Sequence, residues 1–393
     1  MNSFTFSVPE DVIFGVGSLS KLSDILDRCG SGSTFVISDH GLEKLGIVER
    51  VISVCNEKHL SVVSFLDVEP NPSVETVNSA LACYKACGAT SIVALGGGSP
   101  MDVAKAVAVL AVHGGEITDY EGLGRVPGDV VPLIAIPTTA GTGSEVTANA
   151  VITDHRRDWK FAIISPKIIP KYAILDSLLI RSLPPFIAAS TGVDAFIHAM
   201  EAYLSQGASP FTDAVAEKGM ELIGANIRAF VACRANADAA DAMLVGSMFA
   251  GMAFAWARLG DIHAMSHPVS AYYNVPHGVA NSVLMPAVLE YNELADTGRY
   301  QKIHGFLKKD KGPFAPPYGP GALVSEARQL LTDLGIPGSL SDVREIVQAG
   351  GISEETLDRM CADTLKSGNV LANPRTAAFD DIKAIYRRAM ERL

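Results

Sequence analysis

The chain is poor in the residues that mark several protein classes. It has six cysteines among 393 residues and no CxxC pair, which argues against a disulfide framework and a zinc ribbon. No run approaches the roughly 20 apolar residues of a membrane helix, and the first residues lack the basic and apolar regions of a secretory signal. Basic residues are outnumbered by acidic ones, and the net charge of -11 opposes binding to nucleic acid or anionic lipid. We therefore expect a cytoplasmic protein whose partners are small molecules, not nucleic acids or membranes.

The residue pattern changes near residue 180. Before it, β-rich runs such as TFVIS (34–38), LSVVSFL (60–66) and SIVAL (91–95) alternate with helical stretches at 42–58 and 73–87. This alternation predicts a parallel sheet covered by helices. After Leu183-Pro184-Pro185, residues rich in Ala, Met and Leu follow at helical spacing. We predict an α/β, Rossmann-like nucleotide-binding domain at 1–180 and an all-α domain at 181–393, which contains a Gly/Pro-rich surface loop at 308–321.

The segment LGGGSPMDVAK (95–105) is the first candidate for phosphate binding, because it lies between a predicted strand and a predicted helix. Its glycines allow close approach of an anion, and the amides of Gly97, Gly98 and Ser99 could face a pyrophosphate at the helix N-terminus. The segment is neither a GxGxxG fingerprint nor a Walker loop. A purely structural turn therefore stays open as the alternative.

Two further segments favour a nucleotide ligand. PTTAGTGSEVT (137–147) follows an apolar strand and could surround a ribose or phosphate with hydroxyl groups, or could be a hydroxyl-rich turn. Asp39 closes the strand TFVIS, where a carboxylate can accept hydrogen bonds from ribose hydroxyls and repel a 2′-phosphate. Asp39 thus favours NAD over NADP, although an Asx turn that opens the next helix would explain it equally.

A cluster of acidic and imidazole side chains in the helical region indicates a metal. Asp194 and His198 are four residues apart, as are His263 and His267, and His277 follows. Residues four apart share one helical face, which packed helices also use without any metal. However, such groups are costly in apolar surroundings unless a metal or a partner satisfies them. Mixed oxygen and imidazole ligands suit Fe²⁺, Zn²⁺, Ni²⁺ or Mn²⁺.

Motifs along nearly the whole chain resemble those of the iron-containing, or group III, alcohol dehydrogenase family. They occur in the family's order: GGGSPMDVAK, PTTAGTGSE, LPPFIAASTGVDAFIHAMEAYLS, LGDIHAMSHP, VPHGVANSVLMP and ANPRTAAFDDIKAIY. The resemblance implies the dehydroquinate synthase-like architecture, in which NAD(P) and a divalent metal lie in the cleft between an α/β domain and a helical domain. It also implies hydride transfer between a small alcohol or its aldehyde and nicotinamide, with the metal as Lewis acid.

The resemblance carries roles onto particular residues. The implied metal ligands are Asp194, His198, His263 and His277, and His267 is the implied non-ligating active-site histidine that could relay a proton. The implied nucleotide contacts are Asp39, Gly97, Gly98, Ser99, Asp102, Thr138, Thr139, Thr142, Ser144 and Lys160. The implied cofactors are NAD, with NADP less favoured, and Fe²⁺, with Zn²⁺ or Ni²⁺ as alternatives. The family also implies a homodimer or larger assembly, for which the edge-like segment 4–15 could supply a strand.

Asp261 departs from the family pattern, because many members have an apolar residue two positions before the histidine that matches His263. Arg258 lies three residues before Asp261. Because they are three apart, they could form a local salt bridge; otherwise Arg258 could recognise an anionic group on the substrate. Asn149, Val151 and Phe254 are candidates for the pocket wall. Two other functions stay open. One is a dehydroquinate synthase-like lyase, although its ligand set begins with glutamate, and the other is a nucleotide-binding protein without catalysis.

Overall fold

The structure is a computed structural model that describes residues 3–157, 159–309, 312 and 317–392. The chain forms two compact units, of which one is Phe6–Ser182 and the other contains the segment from Leu183 onward together with the N-terminal residues up to Thr5. The first unit has the predicted alternation of strands and helices, and the second is helical.

Nine strands lie in the described part of the first unit. They are β1 (Asp11–Phe14), β2 (Ser33–Ile37), β3 (Ser61–Phe65), β4 (Ser91–Gly96), β5 (Gly122–Leu123), β6 (Leu133–Pro137), β7 (Asn149–Asp154), β8 (Trp159–Ile164) and β9 (Tyr172–Leu175). Six of them form one sheet, parallel throughout, in the order β1-β9-β6-β4-β2-β3. The other three form a small sheet in the order β5-β8-β7, in which β7 and β8 are antiparallel.

Helices cover both faces of the parallel sheet, because each central strand buries residues on both sides. The helices of this unit are α1 (Leu22–Arg28), α2 (His40–Lys44), α3 (Ile47–Asn56), α4 (Val74–Cys87) and α5 (Gly98–His113). Phe35 and Ile37 of β2 belong to a core shared with α4 and α5, whereas Val36 between them belongs to a second core shared with α1 and α3. This two-sided burial is typical of α/β sheets.

The predicted helix ends at α4 are confirmed, but the prediction of one helix over 42–58 is wrong. Ser73 caps α4 by accepting a hydrogen bond from Thr76 N at 3.1 Å, and Gly88 ends the helix with φ +65°. The single helix predicted over 42–58 is two helices, because Gly46 adopts φ +70° between α2 and α3. Strands β7 and β8 form an antiparallel pair outside the main sheet.

The second unit contains ten α-helices among its described residues. They are α6 (Pro185–Leu204), α7 (Pro210–Ala232), α8 (Ala237–Ala257), α9 (Asp261–Tyr273), α10 (His277–Asn292), α11 (Arg299–Leu307), α12 (Ala322–Leu334), α13 (Arg344–Gln348), α14 (Glu354–Lys366) and α15 (Phe379–Met390). Helices α6, α7 and α8 pack on one another, and α10 packs on α6 and α9. The predicted loop at 308–321 falls between α11 and α12, and its residues 310, 311 and 313–316 lie outside the described part of the chain.

Helix α8 corrects the expectation that no segment could span a membrane. Its 21 residues are long and apolar enough to do so by length and composition alone. Just over half of its most apolar stretch is buried, with Met243, Leu244 and Ala250 fully enclosed. Burial against α6 and α7 accounts for this composition, since a core helix needs the same residues as a membrane helix.

Gly96, at the end of β4, provides a test of the backbone that carries the first glycine loop. It has φ +148°, and a Cβ atom there would lie 2.6 Å from Pro100 Cγ. We predict that Gly96→Ala destabilises the protein by about 1–3 kcal/mol, measured as a lower midpoint of urea unfolding. Gly32→Ala is the control, because a Cβ at Gly32 meets nothing within 4 Å. Equal midpoints of urea unfolding for the two variants would show that neither the backbone conformation nor the contact with Pro100 requires glycine at position 96.

Candidate nucleotide and metal sites

Three predicted nucleotide-binding residues follow three neighbouring strands of the parallel sheet. Asp39 follows β2, Gly97 follows β4 and Thr138 follows β6, and these strands are adjacent. Because the strands are parallel, their carboxyl ends meet at one edge of the sheet. The chain runs from β2 outward to β3 and then returns to β4 on the other side of β2, so the direction of strand order reverses here. Open α/β sheets bind ligands at such a switch point.

The glycine loop and the hydroxyl-rich loop contact each other at this edge. Thr138 N donates to Gly96 O at 3.0 Å. A Cβ at Gly97 would lie 3.3 Å from Thr139 Oγ1, and one at Gly98 would lie 3.2 Å from Thr142 Cγ2. Since Gly98 and Ser99 begin α5, their amides belong to the first turn, whose N–H groups have no partner within the helix. The arrangement offers amides and hydroxyls to an anion, as the sequence predicts.

A buried lysine joins the two loops, and sequence reasoning missed it. Lys105 Nζ, fully enclosed, donates to Asn149 O at 2.8 Å, Ser144 Oγ at 3.0 Å and Thr147 O at 3.0 Å. Burial lowers the pKa of Lys105 to about 8 and raises that of Asp102 to about 7, and their mutual attraction opposes both shifts. Lys105 therefore fixes Ser144, one predicted nucleotide contact, beside Asp102, another, with Ser144 Oγ 3.5 Å from Asp102 Oδ1.

The other two predicted contacts of the first unit have partners in the protein. Asp39 Oδ1 accepts a hydrogen bond from Leu42 N at 3.0 Å, so this carboxylate caps α2 as the alternative interpretation expected. Its half-buried side chain keeps a second oxygen that this hydrogen bond does not use. Lys160, on β8, donates to Asn71 Oδ1 at 2.9 Å, and burial lowers its pKa. Neither residue contacts the two loops through these bonds.

The predicted metal-binding side chains lie on three helices of the second unit. Asp194 and His198 project from α6, His263 from α9, and His277 is the first residue of α10. Ligand atoms of Asp194, His263 and His277 lie within 4.8 Å of one another. Gly278 permits this approach, because a Cβ at that position would lie 2.5 Å from Ser190 O on α6. The structure thus brings three of the four predicted ligands together.

The other two histidines that the sequence assigned to the site, His198 and His267, occupy different environments from each other. The buried ring of His198 stacks between Phe254 and His263, with centroid distances of 4.5 Å and 4.6 Å, but it is not one of the three converging groups. His267 lies one turn after His263 on α9 and is exposed, with its ring stacked 5.6 Å from that of His277. The exposure of His267 distinguishes it from the buried His263 on the same helix.

The donors and acceptors around the three converging groups fit a cation. Asn281 Nδ2 lies 2.6 Å from Asp194 Oδ1, 3.0 Å from His263 Nε2 and 3.1 Å from His277 Nε2. An amide nitrogen has two hydrogens and cannot serve three acceptors, and the buried His198 Nδ1 has no hydrogen-bond partner among the described residues. A divalent cation would satisfy this surplus of acceptors, and the oxygen and imidazole donors suit Fe²⁺.

Glu201 and Asn281 complete the site, and sequence reasoning assigned neither. Glu201 is seven residues after Asp194 on α6 and accepts from His263 Nδ1 at 2.6 Å. Burial raises the pKa of Glu201, and hydrogen bonds from the backbone of Gly260, Ile262 and His263 oppose this shift. Burial, with the neighbouring imidazoles, lowers the pKa of His263 well below its usual value. This shift favours the neutral imidazole, which is the form that binds a metal. The spacing of Glu201 from Asp194 is the signal that could have identified it.

The predicted salt bridge between Arg258 and Asp261 is wrong. Asp261 is fully buried at the start of α9, neither of its carboxylate oxygens has a hydrogen-bond partner among the described residues, and burial raises its pKa to about 7. Arg258 is exposed at the end of α8, and its Nη2 donates to Gly368 O at 2.6 Å. The chain turns between these residues, so the helical spacing on which the prediction relied does not hold.

Comparisons with known proteins identify the family of the chain. The family model "Iron-containing alcohol dehydrogenase" matches residues 9–177, and the model of the C-terminal part of the Fe-containing alcohol dehydrogenase family matches residues 188–390. The 1,3-propanediol dehydrogenase of Citrobacter freundii is 35% identical over 98% of each chain, and the NAD-dependent methanol dehydrogenase of Bacillus methanolicus is 34% identical over 98% of this chain and 99% of the other. The structure of sulfoacetaldehyde reductase from Bifidobacterium kashiwanohense with NAD⁺ is 29% identical, with a TM-score of 0.87 over 99% of each chain.

The chain belongs to the iron-containing alcohol dehydrogenase family. This membership confirms the predicted family, the predicted class of enzyme and the predicted fold, an α/β region followed by a helical region. The predicted cofactors, NAD and a divalent metal, agree with these relatives and with the converging acidic and imidazole groups.

The close approach at Gly278 gives a test of the metal site. We predict that Gly278→Ala pushes the start of α10 away from Ser190 and so separates His277 from Asp194, lowering the affinity for Zn²⁺ at least about tenfold. The affinity can be measured by competition with a fluorescent chelator, with circular dichroism to verify the helices. Gly305→Ala on α11, where a Cβ meets nothing within 4 Å, is the control. Unchanged Zn²⁺ affinity in Gly278→Ala would contradict this account.

Proposed function

We propose that the protein is a metal-dependent, NAD-linked alcohol dehydrogenase or aldehyde reductase that transfers a hydride between a small primary alcohol, or its aldehyde, and nicotinamide. One observation carries this proposal, the convergence of Asp194, His263 and His277 in a site with more acceptors than donors. A nucleotide-binding protein without catalysis would gain nothing from such a site. The aspartate in this ligand set also favours a dehydrogenase over a dehydroquinate synthase-like lyase.

The proposed roles divide between the two parts of the chain. Residues 1–180 bind the dinucleotide through the two loops at the carboxyl edge of the sheet, and residues 181–393 bind the metal and the substrate. When bound, the metal supplies Lewis acidity toward the substrate oxygen, and NAD supplies the hydride acceptor. Asp194, His198, His263 and His277 hold the metal. The exposed His267 moves a proton at a ring nitrogen, since imidazole titrates near neutral pH.

The nucleotide contacts that we propose keep the assignments made from the sequence. Gly97, Gly98 and Ser99 face the pyrophosphate, with Asp102 beside them. The hydroxyl groups of Thr138, Thr139, Thr142 and Ser144 surround the nucleotide, and Lys160 is a further contact. Support comes from the contacts between these loops and from the position of the loops at the strand ends.

An anionic group on the substrate is the finer proposal. Arg258 is exposed and has no ion-pair partner among the described residues, so its guanidinium can still bind a carboxylate or a sulfonate. Sulfoacetaldehyde reductase, one of the similar structures, has an anionic aldehyde in its name. An aldehyde with a sulfonate or a carboxylate is the substrate class that this arginine would favour.

A homodimer and a cytoplasmic location complete the proposal. Strand β1 lies at the edge of the parallel sheet, and Val8, Phe14 and Val16 around it are exposed apolar side chains. A second copy could pair with this edge across a two-fold axis. The six cysteines are free thiols, as is usual in a reducing compartment.

A substrate and cofactor panel tests the function. Protein reconstituted anaerobically with Fe²⁺, and separately with Zn²⁺, should oxidise NADH faster than NADPH in the presence of small aldehydes, and the metal-free protein should not. Uncharged aldehydes and sulfoacetaldehyde are compared in the wild type and in Arg258→Ala, where only the anionic substrate should lose about tenfold in kcat/KM. Undiminished preference for the anionic aldehyde would exclude the role of Arg258. NADH binding without turnover under all conditions would contradict the proposal that the protein is an enzyme.

Asp39 provides a separate test of the nucleotide preference. We predict that Asp39→Asn raises the ratio of kcat/KM for NADPH to that for NADH at least about tenfold, because it removes the charge that would repel a 2′-phosphate. Asparagine can still cap α2 at the Leu42 amide, so the helix should remain intact. Asp129→Asn, which alters an exposed carboxylate paired with Lys167, serves as the control. An unchanged ratio would leave Asp39 with its capping role alone.

His267 provides the test of the proton carrier. We predict that His267→Gln lowers kcat by about a hundredfold or more, because the ring nitrogen that carries the proton is lost. Metal content and the affinity for NADH should stay at the wild-type level, measured by metal analysis and by fluorescence. His155→Gln, a change of the same kind at an exposed turn, should have normal turnover. Wild-type turnover of His267→Gln with the metal in place would remove His267 from the mechanism.

A further inference from the structure

We propose that Glu201 is a positioning residue that fixes the ring of His263 so that Nε2, and not Nδ1, faces the metal. This inference rests on the proposed function, because it concerns the same metal site. The hydrogen-bond partner of the Glu201 carboxylate on this ring is Nδ1, whereas Nε2 lies on the side where the ligand groups converge.

The geometry of Glu201 is that of a dedicated hydrogen-bond acceptor. Its Oε2 lies 2.6 Å from His263 Nδ1, and its Oε1 accepts from Ile262 N at 2.7 Å. The side chains of Glu201 and His263 are 5% and 2% exposed, so water does not compete for these bonds. Each carboxylate oxygen thus has a different task. Oε1 fixes the first turn of α9, and Oε2 fixes the imidazole that α9 carries.

The hydrogen bond at Nδ1 determines which ring nitrogen can bind a metal. A neutral imidazole has one N–H group, and the carboxylate keeps that hydrogen on Nδ1. Nε2 is then left with its lone pair. Nε2 is the atom that lies 3.7 Å from Asp194 Oδ1 and 3.0 Å from Asn281 Nδ2, on the side where the ligand groups converge. Histidines that bind metals in general donate their second N–H to a carboxylate or a carbonyl in this way.

Helix α6 therefore supplies both a ligand and the group that orients a ligand from another helix. Asp194 and Glu201 are seven residues, or two turns, apart, so they project from the same face. Asp194 reaches the converging atoms, and Glu201 reaches the far side of the His263 ring. This explains a buried carboxylate that would otherwise be costly to remove from water.

A glutamine at this position separates the two tasks of the carboxylate. In Glu201→Gln, the amide oxygen can still accept from Ile262 N and hold α9. The amide NH₂ then faces His263 Nδ1 as a donor, which forces the ring hydrogen onto Nε2 and blocks the ligand atom. A residue that only caps α9 would tolerate this change, whereas a residue that sets the tautomer would not.

The experiment is a double-mutant cycle on Zn²⁺ affinity, measured on the full chain by competition with a fluorescent chelator. We expect Glu201→Gln to weaken Zn²⁺ binding about 10- to 100-fold, with little change in the thermal midpoint of the metal-free protein. In the His263→Ala background, the same Glu201→Gln change should have almost no effect on Zn²⁺ affinity, because Glu201 acts through the missing ring. The control is Glu326→Gln, a carboxylate of the same unit that pairs with Arg228.

Three outcomes would overturn the inference. They are unchanged Zn²⁺ affinity in Glu201→Gln, an equal loss in Glu326→Gln, and an equal loss from Glu201→Gln with and without His263. If Glu201→Gln does not fold, Glu201→Leu, which also removes the hydrogen bond to His263 Nδ1, takes its place in the same cycle. Failure of the proposed function looks different, because wild-type protein would then bind Zn²⁺ in the predicted way but transfer no hydride.

Discussion

A surplus of hydrogen-bond acceptors in one largely buried site is the constraint on which the helical part of the molecule depends. Asp194, His263 and His277 place ligand atoms within 4.8 Å of one another, and the two hydrogens of the Asn281 amide cannot serve all three. Such an arrangement is unfavourable in a protein interior unless a cation occupies it. Other features of this region serve the same arrangement. Gly278 lets α10 approach α6, and Glu201 holds the ring of His263.

Much of the fold and of the candidate site could be predicted from the sequence. Short apolar runs bounded by glycine, proline and hydroxyl residues predict the strands that end before Asp39, Gly97 and Thr138. A parallel sheet then brings the carboxyl ends of these strands together at one edge. The convergence of Asp194 with His263 and His277 follows from their residue types in an apolar helical region. The long motifs shared with iron-containing alcohol dehydrogenases then assigned the roles, and the family models confirm that membership.

The rest depended on contacts between residues distant in sequence. Lys105 and Glu201 look like ordinary charged helix residues, and only the packing shows that each is enclosed and bonded to distant groups. The salt bridge expected between Arg258 and Asp261 assumed one continuous helix, but α8 ends before Asp261 opens α9. The run at 42–58 divides at Gly46 because a left-handed residue interrupts it, and composition alone does not specify that conformation. Helix α8 shows that length and apolar composition do not distinguish a core helix from a membrane helix.

The central claim is that these side chains bind one divalent metal, and anomalous X-ray diffraction tests it most directly. Crystals of protein reconstituted anaerobically with Fe²⁺ would be measured at energies on both sides of the iron absorption edge. The account predicts a single strong anomalous peak about 2.0–2.2 Å from an Asp194 oxygen and from Nε2 of His263 and His277, and the map would also show whether His198 is the fourth ligand. Iron bound elsewhere, or fully active protein with no peak at this position, would contradict the account.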